Sequence, residues 1–467
     1  MNLKKKLPMI ALIALLGVGV SASLTSCEEK DARTEVVFWH TMGKNNQEKL
    51  QVMIDQFEEA NPNIKITHSA QGGYTDIEDK ILKAIPAKTT PTMAFCYPDH
   101  VARYINSGTS VKLNDLVNDP EIGLTAEELK DYEDAGFWGE GAAYDNQGSI
   151  YSVPFSKSTE VLFINTTWLK SNGFVDENGD AIVPTKWESE DPNDLTAMFN
   201  LCRAIKAKDS SVTPLGYDSD DNMYITLSAQ YGIPYTANVA EGENPLLFDN
   251  AQAKDLVTRL KGYYDEGLFV TKGTLPNNTY TSTKFVKEEL IMSIGSTGGT
   301  SYNVPSKDSD GNYLFNVEVA PLPQANANAP KVISQGPSIT FFKNTKISEE
   351  QVRASWQFYK FITNTYNSAA YAIFTGYEPV RNSSYESAEY VAHLGKLGTA
   401  DETLYTKVAN ITATAAVKNA YFYSPVFVGS SVARQQCGGI ITQVLLGNKT
   451  VTKAFEDAMN ETVFALD

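Results

Sequence analysis

Few residues in this chain have the types and spacing needed to make or break covalent bonds. The four histidines are His40, His68, His100 and His393, and none has a second metal ligand two to four residues away, so zinc spacing is absent. Cys96, Cys202 and Cys437 lie far apart, and no CxxC occurs. These are three of the chain's four cysteines, the fourth being Cys27 near the N-terminus; three allow at most one disulfide among them, and they read as small buried hydrophobes. The chain has no GxSxG elbow, no P-loop and no GxGxxG. Asp218-Ser219-Asp220-Asp221-Asn222 opens like a calcium loop. However, Met223 stands where the tight-turn glycine belongs, and Ala229 where the closing glutamate belongs. Paired carboxylates for glycoside hydrolysis need a spatial separation that spacing along a chain cannot supply. These absences argue against an enzyme: the expectation is no catalytic residues, no metal and no cofactor.

The side chains that bind must be positioned by strands and helices, and these alternate regularly. Residues 35–39 form a β-type run. In residues 44–60 the apolar side chains Leu50, Met53, Ile54 and Phe57 recur at i, i+3, i+4 and i+7, one face of a helix. Asn61-Pro62-Asn63 ends it. A strand is expected over 64–67, a helix over 76–85 and a third strand over 93–97. This βαβαβ rhythm predicts a parallel sheet flanked by helices, with ligands at the carboxyl ends of the strands. The segments after those strands, 39–43, 72–74 and 97–100, are therefore expected to line one crevice. Capping boxes at Thr125/Glu128, Thr185/Glu188 and Ser348/Gln351 predict three helix starts. Asp145, Asp176 and Asp308 begin turns. No repeat, low-complexity run or long linker divides the chain, so two lobes would be joined by short strands.

Composition limits the function. The chain has 467 residues, 42% hydrophobic and 20% charged, which fits a globular protein of two lobes or more. Lys and Arg total 39 against 56 Asp and Glu, a net charge of −17. Such acidity excludes a nucleic-acid binder, which needs basic surface to displace counterions from phosphates. It also argues against attachment to anionic lipid by charge, and favours a soluble monomer. The 24 Tyr, 21 Phe and 5 Trp suit stacking on small ligands.

Lys4, Lys5 and Lys6 precede an apolar stretch over 8–20, too short to span a ~30 Å hydrocarbon core. Residues 1–26 read as a secretory signal peptide. Leu24-Thr25-Ser26-Cys27 matches the lipobox of bacterial lipoproteins, in which the cysteine receives a diacylglyceryl chain. Cys27 is then the lipidation site and residues 27–34 a polar tether. The expected location is extracytoplasmic and lipid-anchored, on the periplasmic or extracellular face of the cell membrane.

Val37-Phe38-Trp39-His40-Thr41-Met42-Gly43 resembles the opening of the extracellular solute-binding proteins, family 1, of bacterial ABC importers. Further motifs follow in the family's order: Thr90-Pro91-Thr92-Met93, Ile150-Tyr151-Ser152-Val153-Pro154-Phe155, Val161-Leu162-Phe163-Ile164-Asn165, Pro184-Thr185-Lys186-Trp187, Ile291-Met292-Ser293 and Gly376-Tyr377-Glu378-Pro379-Val380. The resemblance implies an α/β, two-lobed periplasmic-binding-protein-like fold of type II, with a central cleft and a hinge. It places 35–155 and 290–337 in the first lobe, and 156–289 and 338–467 in the second. Crossings are expected near 155–162, 285–291 and 337–346. The function implied is capture of a small solute for ABC permease subunits, with no enzymatic step.

Within that family the chain is most similar to the sn-glycerol-3-phosphate-binding branch, through residues 38–43 and Pro154-Phe155-Ser156-Lys157-Ser158-Thr159. The branch's ligand contacts would fall on Tyr74, Ser158, Ser296, Gly336 and Tyr377, and its phosphate-pairing arginine on Arg434. Asp99 stands where the branch has a glutamate contact, and Asp218, Asp220 and Asp221 stand where it has tryptophans. Asp221 thereby joins the candidate contacts, together with Trp39 and His40 from the turn after the first strand. Carboxylates in a cleft repel phosphate and suit sugar hydroxyls. The expected ligand is therefore a mono- or oligosaccharide, and the alternative is sn-glycerol 3-phosphate or a glycerophosphodiester. The rival classes are a surface glycan-binding lipoprotein and a lipid-anchored glycan hydrolase.

Overall fold

A computed structural model of the protein describes residues 31–145, 147–239 and 243–466. The leader and the lipobox Cys27 lie outside the described residues. The chain opens as β1 (Thr34–His40), α1 (Lys44–Ala60), β2 (Ile64–Ala70), α2 (Tyr74–Ala87), β3 (Met93–Cys96) and α3 (Pro98–Asn106), then reaches β4 (Ser152–Pro154). Next come β5 (Glu160–Asn165), α4 (Met198–Lys208), β6 (Thr213–Tyr217), α5 (Asp220–Tyr231), α6 (Ala251–Asp265), β7 (Phe269–Thr271), β8 (Leu290–Ser296) and β9 (Val317–Pro321). The last part holds β10 (Val332–Ile333), β11 (Ser338–Phe341), α7 (Glu349–Ile362), α8 (Thr365–Thr375), β12 (Tyr421–Phe422), α9 (Ser430–Leu445) and α10 (Val451–Val463).

Two five-stranded sheets organise the lobes, in the orders β2-β1-β3-β11-β4 and β7-β6-β8-β5-β9. β1 pairs in parallel with β2 from Thr34↔Ile64 to His40↔Ala70, as the βαβαβ rhythm requires. The side chains of α1 that its periodicity points inward, Leu50, Met53, Ile54 and Phe57, are the ones buried. The Thr125 and Ser348 capping boxes form, each with reciprocal bonds to the third helical residue. The Thr185 box does not, because Glu188 is taken by other partners. Its carboxylate accepts from Arg259, Tyr231 and Tyr263 instead. Cys96, Cys202 and Cys437, the cysteines among the described residues, are free and buried.

The strand pairing corrects the expected lobe boundaries. β8 lies between β6 and β5 in the second sheet, antiparallel to β5 with Leu162 opposite Ile294. β11 lies in the first sheet, with Ile339 opposite Phe95 of β3 and Val153 of β4. Residues 290–321 thus belong to the second lobe, and 338–375 to the first. A short apolar strand satisfies either sheet equally well by its pattern, and only the hydrogen-bonding partner decides. There is accordingly no crossing at 285–291. The chain crosses at 155–159, returns at 334–337 and crosses again beyond Gly376.

These three crossings are hydrogen-bonded to one another. Lys157 exchanges backbone bonds with Glu378, at 3.2 and 2.6 Å, and Ser158 exchanges them with Gln335, at 2.8 and 2.9 Å. Beneath this ladder the Lys157 ammonium is fully buried and meets the Glu140 carboxylate at 2.5 Å. Its Nζ also donates to Gly336 O at 3.2 Å, and Ser334 Oγ donates to the far side of the Glu140 carboxylate. A charge pair taken out of water is tolerated only when both ends are fully satisfied, and removing one partner strands the other. Lys157→Ala should therefore lower the unfolding free energy by about 3–5 kcal/mol, read as a fall in the urea midpoint. Replacing both members, as Lys157→Met with Glu140→Leu, should recover most of that loss, and an equal loss in both variants would contradict the ion-pair reading.

Candidate ligand-binding site

The carboxyl ends of both sheets face a cavity of about 510 Å³. From the first lobe come Tyr74 at the start of α2, Tyr97 just after β3, and Tyr377 after α8. The Tyr74 and Tyr97 rings stack at 3.9 Å with an interplanar angle of 15°. From the crossings come Ser158, Gln335 and Gly336. Gly336 sits at φ +95°, and a Cβ there would lie 2.6 Å from Ser156 O, so only glycine fits this turn. The second lobe adds Glu160, Asp218, Asp221, Ser296, Gly298 and Tyr302, and α9 adds Arg434.

The charges in the cleft are arranged unevenly. Arg434 Nε donates to Asp221 Oδ2 at 2.7 Å, and its Nη2 donates to Asn222 Oδ1. Asn222 Nδ2 donates in turn to Gln335 Oε1 at 2.6 Å, tying α5 to the second crossing. The Arg434 guanidinium lies 5.5 Å over the Tyr97 ring. Burial works against the Asp221 charge, but the Arg434 guanidinium more than offsets it and holds the carboxyl below its usual range. Glu160 and Asp218 have no such partner within salt-bridge distance among the described residues. Burial pushes Glu160 up to about 7 and raises Asp218 as well. Asp218 Oδ1 accepts from Thr281 N at 2.7 Å and from its hydroxyl at 3.1 Å. Lys272 on the same wall rests its ammonium 3.9 Å from the centre of the Tyr280 ring.

The structure brings seven of the expected contacts together on this cavity: Tyr74, Ser158, Asp221, Ser296, Gly336, Tyr377 and Arg434. Asp99 lines a smaller chamber of about 50 Å³ that shares Tyr97, Gln335, Gly336 and Arg434 with the main cleft. Trp39 and His40 must be corrected, since neither lines the cleft. Side chains of β1 alternate, and His40 falls on the same inward face as Val36 and Phe38, with no exposed surface. Trp39 points the other way and packs half-buried against the first-lobe core. Residues 218–222 do not form a calcium loop: Ser219 caps α5, and Asp221 pairs with Arg434. Asp218, expected near the cleft as a carboxylate in place of a tryptophan, does line it, whereas sequence reasoning missed Glu160 and Gln335. A charged residue at the head of the apolar run 161–164 was the available signal for Glu160.

A profile of the bacterial extracellular solute-binding protein family matches residues 52–396, and the chain belongs to that family. Among curated relatives, it is 23% identical over 400 residues to the sn-glycerol-3-phosphate-binding periplasmic protein UgpB of Brucella suis, with 82% of each chain covered. Among solved structures, it is similar to UgpB from Mycobacterium tuberculosis in complex with glycerophosphocholine, with a TM-score of 0.71, 19% identity, and coverage of 93% of this chain and 98% of that one. It is likewise similar to the GacH receptor of Streptomyces glaucescens, described unliganded and with acarbose, with a TM-score of 0.70, 16% identity and the same coverage. The fold is therefore the two-lobed α/β fold of periplasmic solute-binding proteins.

Gly298 carries the Tyr377 ring directly against it, and a Cβ there would lie 2.4 Å from Tyr377 Cζ. Gly298→Ala should displace that ring from the cleft wall and weaken solute binding by tenfold or more by calorimetry, with a melting temperature within a few degrees of the parent. His40 Nδ1 accepts from Met42 N at 3.1 Å, so its Nε2–H donates to His68 Nδ1 at 2.9 Å. Burial, with His68 beside it, holds His40 down at about 3 against an ordinary 6.5. A depressed histidine disfavours the protonated folded form, so its contribution is complete above pH ~6.5 and is lost as pH falls toward 3. The loss is on the order of 1 kcal/mol per pH unit in that window. A melting temperature unchanged between pH 7 and pH 5 would contradict this.

Proposed function

We propose that the protein is the lipid-anchored solute receptor of an ABC importer, held at the outer face of the cell membrane through Cys27. It captures a carbohydrate between its lobes and presents the closed form to permease subunits, acting as a monomer and catalysing no reaction. The observation that carries the carbohydrate reading is the state of Arg434. The cation that would take a phosphate is already neutralised by Asp221, within a cleft that also holds Glu160 and Asp218. Tyrosine faces suit the apolar side of a sugar ring, while hydroxyls, amides and carboxylates suit its edge. Closure over such a ligand supports micromolar binding, about −8 kcal/mol. The second reading, sn-glycerol 3-phosphate or a glycerophosphodiester, is favoured by the named ligands of the UgpB relatives.

A thermal-shift screen of the mature protein against mono- and oligosaccharides, polyols and their phosphates tests the choice. A ligand at 100 times its dissociation constant adds ~2.7 kcal/mol of stability, which is readily detected. A sugar should give the largest shift, and Ser158→Ala or Tyr377→Ala should each reduce binding by one to a few kcal/mol. A shift confined to phosphorylated polyols would select the second reading, and turnover of a glycoside would overturn the receptor reading.

A further inference from the structure

Glu160 opens β5 and lines the cleft, yet only 2% of its surface is exposed. Its carboxylate is held by neutral donors. Tyr217 Oη and Thr226 Oγ1 both reach Oε2 at 2.9 Å. No Lys, Arg or His nitrogen lies within 4 Å of it among the described residues, in contrast to Asp221 on the same wall and Glu140 beneath the hinge. A carboxylate buried with neutral donors alone is costly unless something else supplies hydrogens to it. The side of the cavity from which such hydrogens can come is the solute's.

We infer that Glu160 is the residue that selects the solute: it accepts hydroxyl hydrogens from a neutral sugar or polyol, and its negative charge excludes a phosphate. This rests on the solute-receptor reading above. The groups that face Glu160 are Tyr217 from β6 and Thr226, Asn222 and Asp221 from α5, and its strand neighbour on β8 is Ser296. The hydroxyls and the amide favour its ionised form. Asp221 opposes it, though that charge is engaged with Arg434. Burial dominates and brings the group to about 7 when the cleft is empty. Hydroxyl donors from a solute stabilise the ionised form, so affinity is full above that pH and declines below it.

The test is calorimetry on the purified mature protein at pH 8 and pH 5.5 with four probes: maltose, xylobiose, sn-glycerol 3-phosphate and glycerophosphocholine. At least one sugar should bind, about tenfold more weakly at pH 5.5 than at pH 8. Glu160→Gln, which keeps the shape and removes the charge, should flatten that pH profile, weaken sugar binding about tenfold and narrow the preference over sn-glycerol 3-phosphate. Glu160→Asp keeps the charge and should retain a pH-dependent profile, which separates the charge from any loss of packing. Sugar binding that is equal at the two pH values, or a Gln variant with the parent's pH profile and selectivity, overturns the inference and leaves the receptor reading intact. Preference of the parent for either phosphate-containing probe also overturns it. A parent that binds none of the four overturns it together with the carbohydrate reading.

Discussion

The ladder between the three crossings is the constraint on which the rest of the molecule depends. Two sheets with separate cores have no reason to keep a fixed relation unless the segments between them are held. Here those segments are bonded edge to edge at Lys157, Glu378, Ser158 and Gln335. A satisfied, fully buried ion pair lies beneath them. The residues that make this hinge are also cleft residues or their immediate neighbours: Ser158, Gln335 and Gly336 line the cavity, and Glu378 follows Tyr377. The mechanical joint and the binding surface are thus one piece of backbone, so a solute touching Ser158 or Gly336 acts on the hinge directly.

The second organising feature is the division of charge around the cavity. Arg434 and Asp221 cancel each other and serve mainly to lock α9 to α5, with Asn222 extending the lock to Gln335. Glu160 is left with neutral donors, while Asp218 accepts from Thr281 and has the Lys272 ammonium near enough to favour its charge. The cleft therefore presents hydrogen-bond acceptors, three or more aromatic faces, and a guanidinium already engaged by a carboxylate. This balance suits a polyhydroxylated neutral molecule better than an anion.

Much of the architecture was legible because it rests on periodicities. The inward face of α1, the parallel pairing of β1 with β2 and β3, and the caps at Thr125 and Ser348 follow from local spacing and hydrogen-bonding geometry. The errors came where local rules do not decide. β8 and β11 carry similar apolar runs, and their sheets are settled by which edge is open to each. The Thr185 box lost Glu188 to Arg259, Tyr231 and Tyr263, which arrive from distant parts of the chain. His40 has the right neighbours in sequence for a cleft residue, but its place on β1 puts it on the buried face, bonded to His68.

Taken by itself, the sequence determined the family, the α/β class and most of the polar positions that meet at the cleft. These depend on residue types, on motif order and on periods of 2 and 3.6, all of which are local. Only the tertiary structure decided which lobe each late strand joins, that Arg434 is engaged by Asp221, and that Glu160 lies on the cleft wall with no cation within salt-bridge distance among the described residues. Those outcomes depend on distances between residues tens to hundreds of positions apart, and no local pattern encodes such distances.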